Sequence, residues 1–252
     1  MKLKRYSNFI TESVQSDAED FLLNLGFEQV NGRWNGPIDT SFDINDFAAK
    51  KLIINNNLIV KFGIIDGNFH VNKRLKNESI ERLPTYVKGT LNISNNHFSN
   101  MKDFHTIVDE GINLSHNHLH KLENIQEFKD KNAYFDVSYN MLTTLEGCPK
   151  EVGAFRCTDN WLNSAYGAPN KINENKTVLD EKIPEIEREF YMKKSQDPGI
   201  VNYHTELLQY IYERFKDDDV KINDAIMKIK WPKGTDFDQL KSSVTAISKF
   251  KL

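Results

Sequence analysis

In the middle of the chain, apolar and polar residues alternate over four short stretches. The apolar pairs are Leu91 and Ile93, Ile112 and Leu114, Phe135 and Val137, and Phe155 and Cys157. One spacer separates the members of each pair, which is the period of a strand with one face buried. Two spacers further on stands an asparagine: Asn96, Asn117, Asn140 or Asn160, at steps of 21, 23 and 20 residues. Phe98, Leu119, Leu142 and Leu162 follow as a next inward layer, then Met101, Leu122, Leu145 and Ala165. A single coil of this kind cannot bury its apolar face, so the coils must stack and their strands form a parallel sheet. Where the chain turns away from the sheet its backbone groups lose their ladder partners. A buried asparagine offers two donors and an acceptor to replace them. Asn96, Asn117, Asn140 and Asn160 therefore predict a structural ladder.

The flanks read differently. Ser16 with Glu19 forms a capping box for a helix over 16–26, with Ala18, Phe21, Leu22 and Leu25 on one stripe and Gly26 as its stop. Asn31-Gly32 between Phe27–Val30 and Arg33–Trp34 predicts a hairpin. A short helix is expected over Ile44–Lys50, then strands over Leu52–Ile54, Leu58–Ile65 and Phe69–Val71. Phe69, Val71 and Leu83 fit a divergent first coil with about four residues inserted, as expected of an end repeat. From Lys171 helical spacing takes over: Asp180 as a cap for Glu181–Lys194, then Thr205–Lys216, Ile222–Ile229, and a last helix capped by Thr235 and Asp238 that carries Leu240, Val244 and Ile247. The expected organisation is 1–15 a leader or a short docked helix, 16–68 an α+β amino-terminal cap, 69–170 the repeats, and 171–252 a helical module. The fold class is α+β.

The period and lettering of the four coils resemble the leucine-rich repeat. LEGCPKEVGAFRC at 145–157 is similar to the linker of a leucine-rich-repeat type found in large tailed phages, with fainter copies at 82–93 and 166–172. Pro and Gly there disfavour a helix on the convex side, so that side is expected to be mostly non-helical. The longer linkers 102–110 and 123–132 leave room for one helical turn each. The start, MKLKRYSNFITES, resembles the capsid-targeting leader of internal head proteins in T-even-type phages. That resemblance implies cleavage after Ile10-Thr11-Glu12. The alternative for these residues is an amphipathic helix that presents Tyr6, Phe9 and Ile10.

Charge narrows the function. The net charge is −3, with 6 basic and 10 acidic residues over 91–170, so the repeats do not suit a nucleic-acid partner. No apolar run is long enough to span a membrane. Cys148 and Cys157 read as reduced thiols. The sequence contains neither a Gly-rich phosphate loop nor HExxH, and no nucleophile–base set stands out. His116, His118 and His120 alternate outward with His97 one coil earlier, and they read as exposed filler, not as metal ligands. No cofactor and no metal are expected.

What remains is a surface. Asn113, His116, His118, Asp136, Tyr139, Met141, Arg156, Asp159 and Trp161 fall on or just after the strands, facing out, and form the expected partner-binding patch. Tyr and Trp bury much area at small entropic cost. A competing position for Trp161 is beneath the helical tail. The expected function is a non-enzymatic binding module. By resemblance it is a phage accessory protein acting on a host protein, such as an anti-phage defence protein, in the host cytoplasm, with or without packaging in the virion head. The alternatives are a structural or internal head protein of the virion, and an enzyme that docks substrate on the repeats.

Overall fold

This computed structural model describes residues 2–36, 42–43, 48–72, 74–196, 199–216, 218–240 and 242. They form a parallel β-solenoid of about five turns accompanied by several helices. The main sheet has seven strands in spatial order: β3 (Phe42–Asp43), β7 (Phe69–His70), β9 (Thr90–Asn92), β11 (Gly111–Asn113), β12 (Tyr134–Asp136), β13 (Glu151–Arg156) and β14 (Lys171–Val178). Their register aligns one apolar row, with Phe69 opposite Leu91, Leu91 opposite Ile112, Ile112 opposite Phe135, Phe135 opposite Phe155 and Phe155 opposite Thr177. From Phe69 to Phe155 this row is buried, as are the layers behind it, including Phe98, Leu119, Leu142 and Leu162; Thr177 at its end is polar and half-buried. Each such Leu or Phe side chain contributes roughly 1.5–3 kcal/mol of transfer free energy.

The four asparagines stitch the coils together through the backbone. Asn117 Oδ1 accepts the Phe98 N–H of the preceding coil at 3.2 Å, and its Nδ2 donates to Ile93 O and to Leu114 O, both at 3.0 Å. Asn96, Asn140 and Asn160 repeat the pattern on Leu75, Leu119 and Leu142. Beyond Asn160 the ladder changes: Asp180 accepts the Asn160 N–H at 2.6 Å and the Lys182 N–H at 2.9 Å. Asp180 is therefore not the cap of a helix at 181. That helix, α2, runs Glu185–Lys194 behind Pro184.

The repeats extend beyond 69–170 at both ends. β3 precedes them, and residues 171–178, expected to begin the helical module, form β14, the longest strand of the sheet. A polar residue, Thr177, takes the site held by Phe155 in the coil before, which conceals this coil in the sequence. A second parallel sheet of β6 (Ile64–Ile65), β8 (Tyr86–Val87) and β10 (Ile107–Val108) lies just ahead of the main strands. Linkers 102–110 and 123–132 hold no helical turn. The inserted residues of the divergent coil do, as a 3-10 helix over Asn77–Arg82.

At the amino-terminal side α1 spans Lys2–Asn24 without interruption. Ser16 lies inside the helix and caps nothing, and Gln15 instead bonds Glu19 one turn on at 2.9 Å. Gly26 (φ 83°) reverses the chain, its N–H donating to Leu23 O at 3.0 Å and that of Phe27 to Leu22 O at 3.0 Å. Ala18 and Leu22 are buried, but Leu25, past the last turn, is exposed. The hairpin β1 (Glu28–Val30) and β2 (Arg33–Asn35) turns at Asn31-Gly32 as expected. It docks on the first coils when Trp34 pairs with Phe62 and the Arg33 guanidinium donates to Phe62 O at 2.7 Å. Of the expected helix at 44–50, residues 44–47 lie outside the described residues, and Ala48–Leu52 is a 3-10 helix. The strand runs expected next are shorter, as β4 (Ile53–Ile54) and β5 (Asn57–Leu58) around Asn55-Asn56.

The carboxy-terminal helices close the other end of the sheet. α2, α3 (Tyr203–Phe215) and α4 (Asp219–Lys228) follow one another, and Ser195 O accepts the Ile172 N–H of β14 at 2.8 Å. Residues 237–240 are helical, but the cap is Asp236, whose Oδ1 accepts the Gln239 N–H at 3.0 Å, and Thr235 gives its hydroxyl to Pro232 O. Val244 and Ile247 lie outside the described residues.

Candidate partner-binding ridge

The coils leave their strands by a shared route, except that the coil of Phe155 has Arg156 where the others have an Asx-turn residue. An Asx turn comes first: Oδ1 of Asn92, Asn113 and Asp136 accepts the N–H of Ser94, Ser115 and Ser138 at 3.1, 2.9 and 2.8 Å. The residue directly after that serine (Thr158 in the coil of Phe155) adopts the left-handed conformation, with φ of 55°, 54°, 55° and 55° at Asn95, His116, Tyr139 and Asp159. The ladder asparagine follows, and then an outward residue: His97, His118, Met141 or Trp161. The N–H groups of Asn95, His116 and Tyr139 donate to the next coil at 3.1, 3.0 and 2.9 Å, and those of His97, His118, Met141 and Trp161 to the preceding coil at 2.8–2.9 Å. Two neighbouring columns of side chains are thus held by bonds of opposite direction along the axis.

Asn, Asp and His tolerate the left-handed region, whereas a bulky side chain such as Tyr is strained there. His116 adopts it, Tyr139 does so despite its bulk, and their rings stack with centroids 4.1 Å apart and planes 8° from parallel. His97 and His118 stack at 5.4 Å, and His120 meets Trp161 edge to face at 6.3 Å. Tyr139 is 49% and Trp161 54% exposed, so Trp161 does not pack beneath the helical tail.

The expected patch changes in two places. Asp136 is only 6% exposed, and its carboxylate is taken up by the Tyr134 hydroxyl and the Ser138 N–H, so it is a structural turn former and not a displayed contact. Asn113 is half-buried with its Oδ1 likewise engaged. His116, His118, Tyr139, Arg156, Asp159 and Trp161 are exposed and Met141 is half-buried. His97 and His120 belong beside them, and the alternation of His116, His118 and His120 was the signal for the latter. Glu12 lies in the body of α1.

The two edges of the sheet differ in chemistry. Ahead of the strands, Lys88 pairs with Asp66 at 2.8 Å, Lys129 with Asp109 at 3.4 Å, and both Lys131 and Lys171 with Glu151 at 3.1 and 2.9 Å. On the ridge after the strands, Asp159 is the one carboxylate in the two columns (Asn95, His116, Tyr139, Asp159 and His97, His118, Met141, Trp161), and neither column holds a Lys or Arg. Aromatic enrichment with charge depletion is the composition of an interface core.

Other chemistry finds little footing. Among the described residues no three His, Cys, Asp or Glu side chains are grouped to hold a metal, and no helix is long and apolar enough to cross a membrane. A cavity of about 540 Å³ lies between the turns at 146–150 and 166–170 and the start of α3, lined by Cys148, Tyr166, Tyr203 and His204. Burial pushes the Cys148 thiol well up and holds His204 below its ordinary value, so the thiol is not activated as a nucleophile. Compared with known proteins, the chain matches no family model, no curated protein and no solved structure.

Proposed function

We propose that the chain is a leucine-rich-repeat protein with an α/β amino-terminal cap, and that it binds another protein through the ridge from Asn95 to Trp161 without catalysing a reaction. The observation that carries this reading is the exposed His116–Tyr139 stack. Tyr139 is a bulky side chain in a strained backbone conformation, at a position that folding alone would fill with Asn, Asp, His or Gly, and strain of this kind marks recognition sites. Trp161 and His120 extend the same aromatic surface. By the resemblance of its linkers and its amino terminus the chain is a phage accessory protein, and its partner is then a protein of the bacterial host.

The test is capture from host lysate by the full-length protein and by its Tyr139→Ala, Trp161→Ala double variant, with the unfolding of both measured in parallel. One stoichiometric host protein held by the wild type and lost by an equally stable variant supports the reading. Equal retention by both moves the contact surface elsewhere. Retention of capsid protein alone favours a virion role, and turnover of a co-purified molecule favours an enzyme.

A further inference from the structure

The aromatic pairs of the ridge differ in reach. His97–His118 and His116–Tyr139 each join neighbouring coils, at 5.4 and 4.1 Å. His120 and Trp161 stand on the coils of Ile112 and Phe155, which are two apart, yet their rings meet at 6.3 Å and so bridge the coil of Phe135. Tyr139 and Trp161 are half exposed, and among the described residues neither the phenol hydroxyl nor the indole Nε1–H has a hydrogen-bond partner. The ridge thus displays unspent donors on aromatic rings, in two columns without Lys or Arg.

A segment that fits this surface must offer acceptors, carry little charge and repeat in step with the coils. Strands ~4.8 Å apart place alternate coils about 9.6 Å apart. One turn of polyproline II, three residues at ~3.1 Å each, advances about 9.3 Å. An extended strand repeats every ~6.8 Å, and the seven-residue repeat of an α-helix every ~10.5 Å, so both fall out of step. A helix also spends its carbonyls internally, whereas polyproline II leaves them unpaired.

We propose that the ridge takes a proline-rich segment of its protein partner, in the polyproline II conformation and running along the solenoid axis. This deepens the binding reading above and rests on it. A proline seated at His118 has its third successor at Trp161, two coils on in the same column, and the turn between them passes Tyr139. Proline packs on aromatic rings, and its stiff helix loses little entropy on binding. The Tyr139 hydroxyl and the Trp161 indole donate to the segment's carbonyls. Asp159, exposed at the carboxy-terminal end of the first column, receives a basic residue at one end of the segment and fixes its direction.

The test is titration of the isotope-labelled full-length protein with a capped decapeptide, three Pro-Ala-Ala repeats and a final Arg, followed by NMR. The Trp161 indole peak, assigned by its loss in Trp161→Phe, should shift saturably while that of the buried Trp34 stays fixed. Tyr139→Phe removes one donor and should weaken binding about three- to tenfold. The Tyr139→Ala, Trp161→Ala double variant should weaken it at least about thirtyfold. A peptide of the same composition with its prolines gathered at one end should bind more weakly than the repeating one. A Trp161 peak that does not move overturns the proposal, as do equal affinities for the two peptides. So does a response to maltohexaose in place of the peptide, which would assign a carbohydrate ligand. If the double variant does not fold, undiminished binding by Tyr139→Phe overturns it as well. Failure of the peptide, while the double variant still loses the protein captured from lysate, removes the proline segment and leaves the ridge as the binding surface. Failure of the peptide, with capture indifferent to both rings, removes the ridge itself.

Discussion

The imidazole of His116 lies flat on the phenol of Tyr139, 4.1 Å from centroid to centroid. Both residues are left-handed, and both rings are displayed to solvent at a place where a coil next door uses asparagine. The stack recovers roughly 0.5–1.5 kcal/mol, against roughly 1–2 kcal/mol for a bulky residue in that conformation.

Tyr139→Asn should therefore change stability by less than about 1 kcal/mol, since the relief of strain and the loss of stacking nearly cancel. Urea unfolding checks it. A loss well beyond that would mean that the stack is part of the fold's own support, and that the ridge is not free to serve a partner.

Asn117→Ala and Asn140→Ala remove buried amides that bridge two coils, leaving the Phe98 or Leu119 N–H and several carbonyls unpaired. Each should cost about 2–3 kcal/mol. Asn95→Ala, at an exposed turn position, should cost less than about 1 kcal/mol, arising from its left-handed backbone. The ranking of the three unfolding midpoints is the measurement, and equal losses would contradict the ladder.

Gly153 is required by closeness. A Cβ there would stand 2.2 Å from Asn132 O and 2.4 Å from the carbon that bears it, and neither backbone atom can move without shifting the neighbouring coil. Gly153→Ala should cost about 3 kcal/mol. Gly32→Ala, in an open turn at φ 74°, meets no atom within 4 Å and should cost only about 1 kcal/mol. Thermal unfolding of the pair separates collision from conformational preference.

Hydrogen bonds from Lys171, Asn173 and Lys131 hold the Glu151 carboxyl down at about 2. The stability this lends is complete above the ordinary value of 4.5 and is lost as pH falls through about 2. Glu151→Gln should flatten the acid limb of the stability curve in that window. Its effect should shrink in 1 M salt, because Lys131 and Lys171 are solvent-facing. An unchanged acid limb would show that the cluster contributes nothing measurable.

The coils were legible because Leu, Ile and Phe recur at fixed offsets from an asparagine, and stacking leaves that pattern no alternative reading. The last coil was not, because Thr177 and Lys182 occupy sites that carry Phe155 and Asn160 one turn earlier. The end of a stack answers to the helices that cover it and not to a further coil. The two-residue strands β8 and β10 are too short to leave a period. The patch was half legible. Outward alternation located Tyr139 and Trp161, but it could not reveal that Asn113 and Asp136 spend their side chains on turns of their own backbone. The unbroken α1 was hidden by Ser16, whose capping signature is local and is overridden once the preceding residues are helical too.

The asparagine ladder divides each coil into two stretches with different freedom. From strand to inner layer, Leu91 to Met101, Ile112 to Leu122, Phe135 to Leu145 and Phe155 to Ala165 all span 10 residues. From that layer back to the next strand the spans are 11, 13 and 10, for Met101 to Ile112, Leu122 to Phe135 and Leu145 to Phe155. The variation in coil length therefore falls in the linkers, while the pitch of the aromatic columns is locked. Linkers can be lengthened or trimmed, altering length and surface, without changing the spacing of His116, Tyr139 and Trp161.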